Sequence, residues 1–276
     1  MNRHLIKQIT TEEKAAYDRD GVVCIRGQFD EEWIIRMRNA CTNDMAESKG
    51  RVREVYDEEG PGHFYGKVFM GRDDHNFRTY NFESPAAQIA AEIMDLDNVR
   101  FFYDQLFIKT PGTKAPTPWH HDLPYWPFRG NHIASVWLAL TPVDQETSGV
   151  VYIAGSHKWG KFYRAVTPDQ DTKFSADSLE ECPEFHKEFH NPEYKFLSWD
   201  MKPGDVLVHH PLTVHGSGRN QSATQTRIGL SCRYIGGDAV WDPRDHVMVI
   251  DDTEHLQAGV LPTDDKIFPV AWQKTA

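Results

Sequence analysis

The chain has 276 residues, enough for one large domain or two small ones, and 39% hydrophobic residues to fill a core. A formal net charge of −11 and a sequence pI near 5.7 leave no basic stripe for a phosphate backbone or an anionic bilayer, so neither nucleic acid nor membrane is an expected partner. Cys24, Cys41, Cys182 and Cys232 are scattered and form no C-x-x-C pair, and no leader-like or membrane-spanning apolar run stands out, so the expectation is a cytoplasmic protein with reduced thiols.

Thr10-x-x-Glu13 fits a capping box that opens a short helix through Tyr17. The β-branched run "GVVCIRG" (21–27) reads as a strand, and Asp30 is placed to cap the helix "EEWIIRMRNACTNDMAES", with apolar residues at Trp33, Ile34, Met37 and Cys41. Residues 51–83 show no sustained period and mix aromatics, arginines and glycines, the texture of an irregular loop or of a lid over a ligand. Phe64, Tyr65 and Phe69 are the aromatics such a lid would offer. "SPAAQIAAEIMD" (84–95) predicts a helix with Ser84 as its cap and Pro85 at its first position.

From Asn98 the texture changes to strands broken by turn residues: "VRFFYDQLFIKT", "ASVWLALTPV", "GVVYIAGS", "DVLVHH" and "TRIGLSCRYIG". Strand follows strand with little helix between, which favours an antiparallel sandwich or barrel over a parallel sheet with crossover helices. The polar stretch 168–196 reads as a long excursion between strands. The expected organisation is one domain over 1–276, mainly β with flanking helices. Residues 1–97 form a mostly helical part carrying the lid-like segment 51–83, and 98–250 form the core.

Chemistry concentrates in "TPWHHDLPYWPFRG" (117–130). His120-x-Asp122 proves little by itself, because 14 His among 41 acidic residues give roughly two such pairs by chance. If the stretch is extended, His120 and Asp122 share one face and His121 takes the other. Two ligands on one strand need a third from elsewhere, and two His with one carboxylate leave open positions suited to a non-haem iron oxygenase. "VLVHHPLTVHGSGRN" offers His209, His210 and His215, the last followed by Gly-Ser-Gly. Arg227 then opens an otherwise apolar strand; a buried guanidinium needs a carboxylate or phosphate and grips a carboxylate with two parallel hydrogen bonds.

Five segments, "LFIKTPGTKAPTPWHHDLPYW", "SVWLALTPVD", "IAGSHKWG", "MKPGDVLVHHPLTVHGSGRN" and "RIGLSCRYIGGDAVW", run in order from Leu106 to Trp241. Together they resemble the phytanoyl-CoA dioxygenase family of Fe(II)/2-oxoglutarate oxygenases, and "YDRDGVVCIRGQFDEE" resembles that family's opening. The resemblance implies a double-stranded β-helix (jelly-roll, cupin-like) core with His120, Asp122 and His215 as catalytic iron ligands. It further implies that Arg227 holds the distal carboxylate of 2-oxoglutarate, that Ser217 assists there, and that Thr117 and Trp137 line the co-substrate pocket. Lys109 belongs to the family's F-x-K pattern without an assigned role. His121 departs from the pattern, since members often carry Gln between the His and Asp. The implied cofactors are Fe(II), 2-oxoglutarate and O2, and the implied partner is a small organic metabolite oxidised at a C–H bond; oligomeric state is open.

Several features compete with this reading. His186 and His190 have helical i, i+4 spacing but lack the H-E-x-x-H glutamate, and read as a solvated loop. "AGSHKWG" around His157 reads as a structural turn. Arg233 shares strand parity with Arg227 and would face the same cavity; Arg129 is a weaker candidate for a substrate anion. A halogenase needs an open position where Asp122 stands. The remaining alternative is a non-oxidative, metal-dependent jelly-roll isomerase or hydrolase, or a small-molecule binding protein, against which Arg227 speaks.

Overall fold

The computed structural model describes residues 1–58, 60–165 and 178–275. Thr10 and Glu13 form the reciprocal capping box that starts α1 (Thr11–Asp20), and Gly21, with φ of 78°, turns the chain directly into β1 (Val22–Ile25). Asp30 accepts from the Trp33 amide and opens α2 (Glu31–Glu47). Then follow β2 (Val52–Tyr56), β3 (His63–Val68), α3 (His75–Glu83) and α4 (Ala86–Ile93). The strands continue with β4 (Asn98–Lys109), β5 (Thr117–His120), β6 (Phe128–Arg129), β7 (Ile133–Ala139) and β8 (Val150–Ile153). The last are β9 (Phe196–Leu197), β10 (Val206–His209), β11 (His215–Ser217), β12 (Arg227–Ile235), β13 (Val240–Trp241) and β14 (Val270–Gln273).

The major sheet runs β1-β10-β7-β12-β4-β3-β2, with β14 also paired to β4; the minor sheet runs β5-β11-β8-β9; β6 and β13 form a separate pair. Neighbours within the sheets are antiparallel. Strand parity sorts the side chains. On β12, Ile228, Leu230, Cys232 and Tyr234 join Leu106 and Ile108 of β4 and Val206 and Val208 of β10 in a core that also takes Trp33, Met37, Phe77, Tyr80 and Ile89 from the helices. The alternate residues, Arg227 and Arg233 among them, face a cavity shared with the minor sheet. Both faces of β12 are thus covered, and all nine of its residues are buried. The two facing antiparallel sheets are the jelly-roll expected from the sequence.

Three expectations change. Residues 51–83 are not irregular: β2 and β3 form a hairpin that extends the major sheet through β3–β4 pairing and borders the cavity, and His75–Glu83 is helical. The segment hides its strand period because one face lines the cavity while the other packs on the helices, so both carry aromatic residues. Phe64 faces the cavity, whereas Tyr65 is in the helix-side core and Phe69 in a separate aromatic cluster. The sheet core is also wider than 98–250, since β1, β2, β3 and β14 lie outside those bounds. At the fourth helix, Pro85 is the cap position rather than the first helical residue, and Ser84 Oγ accepts from the Ala86 amide at 3.3 Å. Of the stretch 168–196, residues 168–177 lie outside the described residues; the remainder includes a short 3₁₀ turn at Phe185–Glu188 and the edge strand β9.

Candidate metal centre and co-substrate cavity

The centre is assembled where β5 and β11 pair, with His120 directly opposite His215 and their ring centroids 4.3 Å apart. Asp122 joins them by a different route from the one the sequence suggests. β5 ends at His120, and Asp122 has helical backbone angles (φ −76°, ψ −36°) at the start of a 3₁₀ turn. Its amide donates to the Pro211 carbonyl at 2.8 Å, so a turn locked onto the β10–β11 connection, not a pleat, aims the carboxylate. His121 does point away, into Phe162 and Tyr163, where its Nε2 accepts the Tyr163 amide at 2.8 Å.

Ligand atoms of His120, Asp122 and His215 all lie within 4.8 Å of one another, the one such cluster of His, Cys, Asp or Glu among the described residues. Their protonation states follow from their partners. His120 Nδ1 is 2.7 Å from the Pro118 carbonyl and His215 Nδ1 is 2.9 Å from the Thr213 carbonyl. A carbonyl only accepts, so both Nδ1 atoms carry a proton, which leaves Nε2 as the ligating atom of a neutral ring. Burial pushes the His215 pKa well down, keeping that ring neutral. For Asp122, burial raises the pKa, but contacts with His120 and His209 and the nearby Arg233 outweigh it and hold the acid well below its usual range. His120 Nε2 and Asp122 Oδ1 stand 3.6 Å apart. The donor set of two imidazoles and one carboxylate fits an octahedral divalent metal with three positions left open.

A further sphere braces this set. His209, one of the three histidines the sequence offers for the third position, is not in the cluster: its Nε2 meets Asp122 Oδ2 at 3.2 Å, and Tyr152 Oη lies 3.2 Å from its Nδ1. Such partners orient ligating groups. His210 lies outside the cavity, packed on His157 with its Nδ1 accepting the Leu212 amide.

The centre opens into a cavity of about 310 Å³, whose lining includes Thr117, Trp137, Ser217 and Arg227 as well as the three candidate ligands. Arg227 is 2% exposed and Lys109, its partner in register on β4, is fully buried. Lys109 Nζ contacts Ser148 Oγ (3.0 Å), Ser217 Oγ (3.2 Å) and the Gly218 carbonyl (2.8 Å). Arg227 Nη2 reaches only the Ser148 carbonyl at 3.3 Å and Ser148 Oγ at 3.5 Å, its guanidinium lies over Trp137, and its Nε has no partner. Burial lowers the Arg227 pKa to about 10, still cationic near neutrality, and burial and then Arg227 push Lys109 well down. No carboxylate pairs with either group among the described residues. A buried guanidinium with polar hydrogens unmet and no counter-charge is a site for an anion.

Lys109, whose role the sequence leaves open, is buried beside Arg227 and hydrogen-bonded to Ser148 and Ser217. His186 and His190 are exposed, and Arg129 pairs with Asp242 at 2.8 Å away from the cavity. Ser156 Oγ accepts the Val214 amide at 2.8 Å and His157 contacts the Asp18 carbonyl, so "AGSHKWG" is a structural turn.

A jelly roll whose two sheets enclose a candidate metal-ligating cluster and a buried, unpaired guanidinium defines the class of protein. Its family follows from the sequence: the model described as "Phytanoyl-CoA dioxygenase (PhyH)" matches residues 17–229, and the chain belongs to that family. The rat protein "Phytanoyl-CoA dioxygenase, peroxisomal" is 29% identical over 150 residues, covering 51% of this chain and 40% of its own length. The chain thus spans less than half the length of the first curated relatives it matches. Among solved structures, the "non-heme alpha ketoglutarate dependent carbocyclase SnoK from nogalamycin biosynthesis" superposes with a TM-score of 0.72 at 20% identity, covering 99% of this chain and 100% of that one. The "epimerase SnoN in complex with Fe3+, alpha ketoglutarate and nogalamycin RO" gives 0.72 at 20% identity, covering 95% and 98%. At such identities the superpositions show the fold.

Proposed function

We propose that the chain is an Fe(II)/2-oxoglutarate-dependent dioxygenase that hydroxylates a C–H bond of a small organic metabolite. His120, Asp122 and His215 hold the iron. Arg227 grips the distal carboxylate of 2-oxoglutarate, with Lys109 and Ser217 beside it and Thr117 and Trp137 along its flank. Family membership and the iron and α-ketoglutarate recorded with the structural neighbour SnoN support this reading. The observation that carries it is Arg227, buried without a counter-charge in the wall of the cavity that holds the candidate metal-ligating cluster.

When bound, the iron supplies the activation of dioxygen that couples two oxidations: 2-oxoglutarate, O2 and a substrate C–H become succinate, carbon dioxide and C–OH. The residues contribute position and environment. The Pro118 and Thr213 carbonyls fix the imidazole tautomers; His209 holds the Asp122 carboxylate; Arg227 sets the co-substrate's depth; Phe64, Tyr103, Phe107 and Trp126 supply an apolar part of the wall that excludes water. No helix among the described residues is long and apolar enough to cross a membrane. With its dispersed, unpaired thiols, the chain is assigned by this reading to the cytoplasm, acting on a small molecule rather than on nucleic acid or membrane.

Succinate formation from 2-oxoglutarate, with Fe(II) and oxygen, is the test. Asp122→Ala is expected to abolish metal binding and succinate together. Arg227→Gln is expected to raise the 2-oxoglutarate Kd at least tenfold, about 1.4 kcal/mol, with metal still bound. A wild-type protein that binds metal but neither binds nor consumes 2-oxoglutarate would return the site to a non-oxidative jelly-roll enzyme or binding protein.

A further inference from the structure

Arg233 is a buried cation for which the reaction above has no use. It lies on the cavity face of β12, 3% exposed and six residues beyond Arg227. Six residues of extended strand place their Cα atoms roughly 20 Å apart, so the two guanidiniums serve different ends of the cavity. Arg233, Ser135 and His209 stand in register across β12, β7 and β10. Asp122 meets both Ser135 Oγ (3.4 Å) and His209 Nε2 (3.2 Å), which puts the metal-ligating carboxylate level with Arg233. Arg227 is level instead with Lys109. A co-substrate running from the centre toward Arg227 therefore leaves the Arg233 side to the substrate.

The surroundings of Arg233 hold its charge without answering its hydrogens. Its guanidinium lies 4.6 Å from the Tyr103 ring centroid and within 5.9 Å of those of Phe107 and Trp126. Aromatic faces stabilise a cation but accept no strong hydrogen bond. Nη1 has only the Ser231 carbonyl at 3.4 Å, and Nε has no partner. No carboxylate pairs with Arg233 among the described residues; Asp122, whose ionised form it favours, is engaged by His209 and the imidazoles. The Gln105 amide lines the same wall. Arg51 and Lys67 also line the cavity but are paired with Asp251 and Asp44; a guanidinium without a carboxylate partner matches a monoanionic carboxylate, two parallel donors to two oxygens, better than a phosphate, which usually gathers several cations. The cavity, about 310 Å³, is at the lower end of the ~300–1,000 Å³ typical of ligand sites and must also take 2-oxoglutarate, so the substrate is small.

We propose that Arg233 is a specificity-determining residue that anchors the carboxylate of a small organic acid, holding an apolar carbon of that acid at the metal centre. The assignment rests on the oxygenase reading. The alternative, an Arg233 that only tunes Asp122, gives no preference between an acid and its uncharged isostere.

The test is calorimetric titration of the anaerobic Fe(II) protein, first with 2-oxoglutarate and then, with 2-oxoglutarate saturating, with hexanoate, benzoate and 3-phenylpropanoate and their primary amides. At least one acid is expected to bind ten or more times tighter than its amide. Arg233→Gln is expected to bring that ratio to about one while changing the 2-oxoglutarate Kd less than twofold, and Arg233→Lys to give an intermediate ratio. Equal binding of acids and amides by the wild type, or no binding of any acid, overturns the proposal while the first titration leaves the oxygenase reading intact; this arm needs no variant to fold. A tenfold loss of 2-oxoglutarate affinity in Arg233→Gln with the acid preference unchanged also overturns it. Failure of the wild type to bind 2-oxoglutarate sinks both readings.

Discussion

Asp122 presents one carboxylate oxygen to His120 and has the other engaged by His209, so removing the His209 imidazole frees the carboxylate to swing. His209→Leu keeps the bulk and loses the hydrogen bond. By the usual weight of such outer partners it is expected to weaken metal binding about 10–100-fold with the fold intact. Chelator competition against the folded variant measures this, and an unchanged metal Kd would show that Asp122 is held without His209. The neighbouring His210 has a different role. Burial, then the adjacent His157 and His209, lower its pKa from 6.5 to about 3. Below pH 6.5 the unfolded chain takes up a proton at this position and the folded one does not. The neutral ring's contribution is therefore complete above pH 6.5 and is lost as pH falls toward 3, an upper limit of about 5 kcal/mol. His210→Asn retains an acceptor for the Leu212 amide and is expected to flatten the fall in Tm between pH 6.5 and 4. A wild-type slope in that variant would assign the acid sensitivity to other groups.

At the scale of elements, β12 carries the greatest constraint, since it must pack a helix-side core and line a cavity at once. Gly229 lies on its cavity face, where an added Cβ would come within 2.0 Å of the Trp137 ring. Trp137 in turn lies under Arg227, so the glycine makes room for the indole and, through it, for the space beside the guanidinium. Gly229→Ala is expected to displace the indole into the cavity and raise the 2-oxoglutarate Kd tenfold or more, with a cost of about 1–3 kcal/mol in stability from overpacking. Equilibrium binding and a melt of the same sample separate the two effects; wild-type affinity would mean that Trp137 does not border the co-substrate. The β2–β3 hairpin shows the converse of this constraint. Added at the open edge of β4, with its own outer strand only partly buried, it has no strict alternation of apolar and polar residues, and its strands could not be read from periodicity.

For the molecule as a whole, the N-terminal helices and the major sheet share one core. Trp33, Met37, Tyr80 and Ile89 are buried against residues of β4, β7, β10 and β12, and β1 is itself a strand of that sheet. Neither part buries its apolar face without the other, so residues 1–276 are proposed to unfold as a single unit. Far-UV circular dichroism and tryptophan fluorescence are expected to give superimposable denaturation curves; separated transitions would divide the chain into two domains.

What the sequence determined by itself was local or periodic. The Thr10–Glu13 box and the Asp30 cap depend on contacts three residues away, and the long strands 98–109 and 227–235 carry enough β-branched and aromatic residues to declare themselves. The candidate ligands were legible because an ordered set of motifs resembled a family, and because Arg227 is conspicuous in an apolar run. Tertiary structure alone decided the rest. Asp122 reaches the centre through a turn fastened to Pro211, about ninety residues away, where strand parity had predicted a pleat. His209 contacts Asp122 rather than joining the cluster, and Lys109 joins Arg227 only because β4 and β12 pair in register. Such roles depend on contacts between residues far apart in the chain, and short-range propensity contains no information about which distant partner will meet which.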